Sequence, residues 1–160
     1  MHNYVYQISE KRPQKGEWVT SEYLWKYPDF LPVADSVDDV LERAHVIGQF
    51  GSWLAQNHLG TMSGDCFILA PEAAERYFAG RFAAFQQAMS ALQALNETQF
   101  LHEHCLIQNL INDLGRIFTD KLNAYVLLDD IEEAVPMDEF MRSAKPGIPY
   151  YIGGVLDYHF

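Results

Sequence analysis

The chain has 160 residues, 49% of them hydrophobic, with ten Phe, nine Tyr and three Trp. That is enough apolar material for one core without staples, and it excludes a disordered chain. A net charge of −11, from 22 acidic and 11 basic residues, argues against a nucleic-acid binder or an anionic-membrane binder, since both need a basic face.

Asn3 to Ser9 alternates, with Tyr4, Tyr6 and Ile8 on one side and Val5 and Gln7 on the other, which is a strand pattern. Lys11 to Gly16 is a polar link, and Glu17 to Leu24 reads as a second strand of a hairpin. Tyr27-Pro28-Asp29-Phe30-Leu31-Pro32 reads as an ordered, extended loop, because each proline disfavours helix at the residue before it. Ser36 opens a first long helix over 36–59, with Asp39 at a variant capping-box spacing and Val37, Val40, Leu41, Ala44, Ile47 and Leu54 on one face. Gly60 ends it. Gly48 and Gly51 inside it call for a neighbour against bare backbone, a break near Gln49, or a bound ligand, in that order.

Thr61 to Asp65 is a small-residue loop, and Cys66 to Leu69 is a short buried strand. Two further helices follow, over 71–95 and 98–118, with a turn at Asn96 and Glu97. Pro71 suits the first helical position, and Glu72 and Glu75 suit the dipole. Phe78, Phe82, Phe85, Met89 and Leu92 share one face, as do Ile107, Leu110, Leu114 and Ile117, so both stripes are expected in the core of an antiparallel hairpin. Ala124 to Leu128 is a strand, and Met137 to Ser143 is a short helix after Pro136. Tyr150 to Ile152 and Val155 to Phe160 are strands joined at Gly153-Gly154 by a tight turn or a bulge.

These elements make a single α+β domain over residues 1–160, a small mixed or antiparallel sheet from N- and C-terminal strands covered on one face by three main helices. No apolar run approaches membrane-spanning length, and MHNYVYQISEKR lacks the build of a signal peptide. Cys66 and Cys105 are too few for a disulfide framework and are expected as reduced, buried thiols of a cytoplasmic protein.

Chemistry-bearing patterns are sparse. Phe100 to Cys105 holds His102, Glu103 and His104, but on a helix His102 and His104 point about 200° apart. His102 and Cys105 can share an ion only with help from His45 or His58, so no metal or cofactor is expected. Cys66 beside Asp65 lacks a nucleophile signature, and neither a serine elbow nor a phosphate-binding glycine pattern occurs. No catalytic residue is therefore expected. Asp129, Asp130, Glu132, Glu133, Asp138 and Glu139 form a stretch of six carboxylates without a cation.

That stretch is the candidate partner-binding site, for a basic protein met by a small, non-catalytic interaction protein of inhibitor, immunity or antitoxin type. The helical hairpin offers a face for a homo-oligomer. The alternative is a small-molecule-binding domain or enzyme with a pocket between sheet and helices, in which His58 or Cys66 would sit.

Overall fold

A computed structural model describes residues 3–25, 36–118, 124–128 and 134–159. The proline-rich loop at 27–32 lies outside them. The fold is α+β, with seven strands and seven α-helices among the described residues. Two compact units are distinguished, residues 1–77 with 122–160, and residues 78–121.

The first unit is built on its last strand. β7 (Pro149–His159) is the longest, and β1 (Asn3–Ser9) runs antiparallel along one of its edges. Its other edge is shared. β4 (Cys66–Leu69) takes the start, pairing Cys66 with Tyr151, and β2 (Ser36–Asp39) takes the end, pairing Ser36 with His159. β3 (Gly60–Ser63) pairs with β4 through the two-residue loop Gly64-Asp65, where the positive φ of Gly64 suits a tight hairpin. On the far side of β1, β5 (Tyr125–Leu128) runs parallel, followed by antiparallel β6 (Ala134–Pro136). The sheet is therefore mixed and open, in the order β3-β4-β7-β1-β5-β6.

Between the stretches of β7 held by β4 and β2, the backbone meets other partners. The Ile152 N–H donates to the Asp65 carbonyl at 2.8 Å. Arg43 donates Nη2 to the Ile152 carbonyl and Nε to the Gly153 carbonyl at 2.7 Å, with its guanidinium 4.0 Å over the Trp18 ring. Desolvation lowers the Arg43 pKa, and the nearby Asp65 charge opposes that. Opposite β1, Gly153-Gly154 is a bulge, because Tyr6 faces Val155 and Ile8 faces Ile152. The buried Gln7 occupies it. Its Oε1 accepts from Gly154 N and Val19 N, both at 2.8 Å, and its Nε2 donates to the Glu17 carbonyl at 3.0 Å. A Cβ on Gly154 would lie 2.3 Å from the Val19 oxygen, so glycine is required there by close approach.

This arrangement corrects the expected N-terminal hairpin. β1 already has β7 and β5 on its two edges, so residues 17–24 have no edge to join. They form a 3-10 turn (Lys15–Glu17) and helix α1 (Ser21–Trp25) instead. The helix expected over 36–59 is shorter for a related reason. Ser36 to Asp39 fill the free edge of β7 as strand, and α2 begins only at Arg43 and ends at Gln56. It runs unbroken through Gly48 and Gly51. A Cβ on Gly51 would stand 2.9 Å from Met62 Sδ, so a neighbouring strand uses the bare backbone there. α2 ends in a Schellman motif, with Leu59 N bonded to Leu54 O and His58 N to Ala55 O. His58, not Gly60, takes the left-handed position, at φ 55°.

Both sheet faces of this unit are covered. On one, Phe50 of α2, Phe67, Tyr150 and Phe140 of α7 (Met137–Ser143) form a chain of ring contacts 5.4 to 6.3 Å apart, and Tyr6 joins Phe50 at 5.0 Å. On the other, Val5, Val19, Leu127, Ala134, Leu156 and Tyr158 form a second cluster.

The helices expected over 71–95 and 98–118 are both divided. Gly80, in the left-handed region at φ 80°, separates α3 (Ala73–Tyr77) from α4 (Arg81–Gln93). Glu103, at φ −113° and ψ 56°, separates α5 (Glu97–His102) from α6 (His104–Ile117). Asn96 caps α5 reciprocally with Gln99, where the turn was expected. Three main helices over the sheet thus become seven α-helices among the described residues, and of these α4, α5 and α6 lie in the second unit. There the Phe85 and Phe118 rings meet edge to face at 5.9 Å, as an antiparallel α4–α6 pair requires.

Candidate interaction surfaces

Of the six carboxylates singled out in the sequence, Asp129, Asp130, Glu132 and Glu133 lie outside the described residues. Asp138 and Glu139 open α7, where negative charge suits the dipole. Asp138 is half-buried and accepts a hydrogen bond from the Tyr77 hydroxyl, which ties α7 to α3. Glu139 is exposed. Asp138 thus has a structural partner 61 residues away in the chain.

Charge is distributed unevenly between the two units. Residues 78–121 carry three basic and four acidic side chains, a net of −1, which leaves −10 on the rest of the chain. In the sheet-bearing unit, Glu10, Glu22, Asp38, Glu42 and Glu75 are exposed carboxylates spread over several elements. Asp38 stands opposite Asp157 in the β2–β7 register, a like-charge pair that sheet stability alone would disfavour.

The parallel strands β1 and β5 end side by side, at the pair Ile8–Leu128. Two cavities of about 560 and 490 Å³ flank that end, and Lys11 and Leu128 line both. Gln7, Trp18 and Tyr23 wall the first, and Ser9, Phe140 and Tyr150 wall the second. Two of their cations are paired. Arg12 pairs with Asp65 at 3.3 Å and lies over the Tyr151 ring, and Lys145 Nζ donates to Glu10 at 3.1 Å, which raises the lysine pKa.

The residues watched for catalysis lie elsewhere. His58 is exposed at the end of α2, where its backbone carbonyl accepts from Arg76 at 2.8 Å, and neither cavity includes His58 or Cys66 among its described lining. Cys66 is half-buried at the β3–β4 turn. Cys105 is exposed on α6 rather than buried. His102 and His104 are exposed as well, and no group of three or more metal-ligating side chains occurs among the described residues.

The helical unit presents a different kind of surface: of the two stripes expected in the core, Phe82 is exposed and the other described members are half-buried, and further exposed apolar side chains lie beside them. α4, α5 and α6 contain no buried residue. Phe82 is 68% exposed, Phe100 67%, Leu101 65%, Phe118 60% and Ile111 48%. The periodicity that identified the apolar stripe was sound, but two or three short helices cannot enclose it. No helix among the described residues is long and apolar enough to cross a membrane. No family model, curated protein or solved structure matches the chain.

Proposed function

We propose that the chain is a small acidic interaction protein that binds a basic protein, in the manner of an inhibitor, immunity protein or antitoxin, and catalyses no reaction itself. One observation carries this reading: ten of the eleven net negative charges belong to the sheet-bearing unit, while the helical unit is nearly neutral. A one-sign surface steers an oppositely charged partner and raises its association rate. The pairing of Arg12 with Asp65 and of Lys145 with Glu10 adds support, since it leaves two of the basic side chains beside the cavities engaged within the chain.

The test is capture from a cell lysate at low salt and at about 0.5 M salt, where screening is short-ranged. The captured protein is then measured for association with the wild type and with the quadruple variant Asp129→Asn, Asp130→Asn, Glu132→Gln, Glu133→Gln. The expected partner is basic, releases at high salt, and associates more slowly, with a flatter salt dependence, with the variant. An unchanged association rate would remove the reading.

The cavities at the carboxyl ends of β1 and β5 keep a second reading in view. Ligands of open α/β sheets bind outside such ends. Small-molecule binding there would raise the unfolding temperature in a ligand screen, and substitution of Tyr23 or Tyr150 would abolish the rise.

A further inference from the structure

We infer that the helical unit, residues 78–121, is a self-association face on which a second copy of this chain docks, hairpin against hairpin. The exposed apolar groups run the length of the unit. Phe118 packs on Phe85, and Phe82 is a neighbour of Phe85 on the α4 surface, so these three mark the open end of the hairpin. Ile111 lies seven residues before Phe118, on the same side of α6. Phe100 and Leu101 lie on α5, at the connected end.

The size of the face is appropriate. With a full aromatic side chain worth about 200 Å² and the aliphatic ones somewhat less, the five exposed fractions leave roughly 500–600 Å² of apolar surface per copy. Two copies bring together at most about 1,000–1,200 Å², the size of a weak, reversible protein contact. A two-fold pairing of hairpins completes a four-helix arrangement in which each stripe gains the wall it lacks.

Charge selects the occupant. Two copies of a chain at −11 repel one another, and the segment at −1 is where they can meet with least repulsion. A basic partner is drawn instead to the sheet-bearing unit, so the two surfaces do not compete. The salt responses of the two contacts are opposite. Screening weakens an acidic–basic complex and strengthens an apolar contact between like-charged copies.

The experiment is sedimentation of the purified chain over about 1–100 μM, at about 0.05 and 0.5 M salt. The expected result is a monomer–dimer equilibrium, from 18.4 kDa to twice that mass, with a larger dimer fraction at high salt. The variant Phe82→Gln with Phe100→Gln replaces two exposed side chains, so its circular dichroism and urea midpoint should match the wild type, while its dimer dissociates at least about tenfold more readily. A monomer at every concentration and salt would overturn the inference. So would a dimer indifferent to these substitutions, a dimer that salt dissociates, or a run of larger species without a defined dimer. If the purified chain stays monomeric while Phe82→Gln abolishes capture of another protein, the face belongs to that protein and the second copy is excluded. The sedimentation outcomes do not bear on the acidic-partner reading, which is read out by the salt release of a captured protein.

Discussion

Replacing Gln7 with leucine should be among the most damaging single changes to a polar residue of this protein. The side chain is 8% exposed and makes three hydrogen bonds to backbone, two as acceptor from Val19 N and Gly154 N and one as donor to the Glu17 carbonyl. Leucine conserves approximate volume but leaves two buried N–H donors without an acceptor, each costing about 1–3 kcal/mol. Water can soften this, because Gln7 also lines the cavity of about 560 Å³. The expected loss is therefore near the lower end, about 2–3 kcal/mol, out of a total of roughly 5–15 for a domain. In urea, with a slope of about 2 kcal/mol/M, the midpoint should fall by about 1–1.5 M. Gln49→Ala, at an exposed position on α2, is the control and should cost less than about 0.5 kcal/mol. If Gln7→Leu lowers the midpoint by less than about 0.3 M, the view that this amide holds residues 15–19 onto the bulge of β7 is wrong.

Three further outcomes follow from particular residues. His58 holds a left-handed conformation that costs most L-residues about 1 kcal/mol, so His58→Gly should raise stability by about 0.5–1 kcal/mol and His58→Val should lower it, read as opposite shifts in melting temperature. Arg43→Lys keeps the charge but cannot span the Ile152 and Gly153 carbonyls together, so it should cost about 1–3 kcal/mol in urea unfolding and speed amide exchange in β7. The Tyr6 phenol is buried and its pKa is pushed well up, chiefly by desolvation and secondarily by Tyr4. Above about pH 10 the unfolded chain releases that proton and the folded chain retains it, so stability present below pH 10 is lost as pH rises, by about 1.4 kcal/mol per pH unit from this group. Tyr6→Phe should flatten the alkaline limb of a stability–pH curve by that slope.

Local signals carried much of the fold. The alternation of Asn3–Ser9, the apolar runs at 66–69 and 125–128, and the Pro136 start of α7 each reflect short-range preferences that the tertiary structure leaves intact. Gly153-Gly154 was legible as a turn or bulge, and the bulge won because β7 continues straight through it. The errors fell where a distant strand edge decided the outcome. Ser36 to Asp39 reads well as a helix start, yet β7 had an unfilled edge at 156–159. Residues 17–24 read as strand, yet both edges of β1 were taken by segments more than a hundred residues away. Neither fact is written locally.

The surfaces divide in the same way. Composition shows that the chain is acidic and that 129–139 is its densest stretch, but the engagement of Asp138 by Tyr77 required a partner 61 residues distant. Periodicity located the apolar stripes of α4 and α6 and left open what they meet. Burial of such a stripe depends on whether enough other elements are available to cover it, and every buried large apolar side chain among the described residues lies in the sheet-bearing unit. One signal within the sequence does bear on the question: a count of charge by segment rather than over the whole chain. Residues 78–121 are about as apolar as the chain as a whole but nearly neutral, and Gly80, the capping Asn96 and Glu103 bound three separate helices there. Short helices with a long apolar stripe and little charge cannot bury that stripe among themselves, so the excess is available to another molecule, and the −10 carried elsewhere limits how a second copy can approach it.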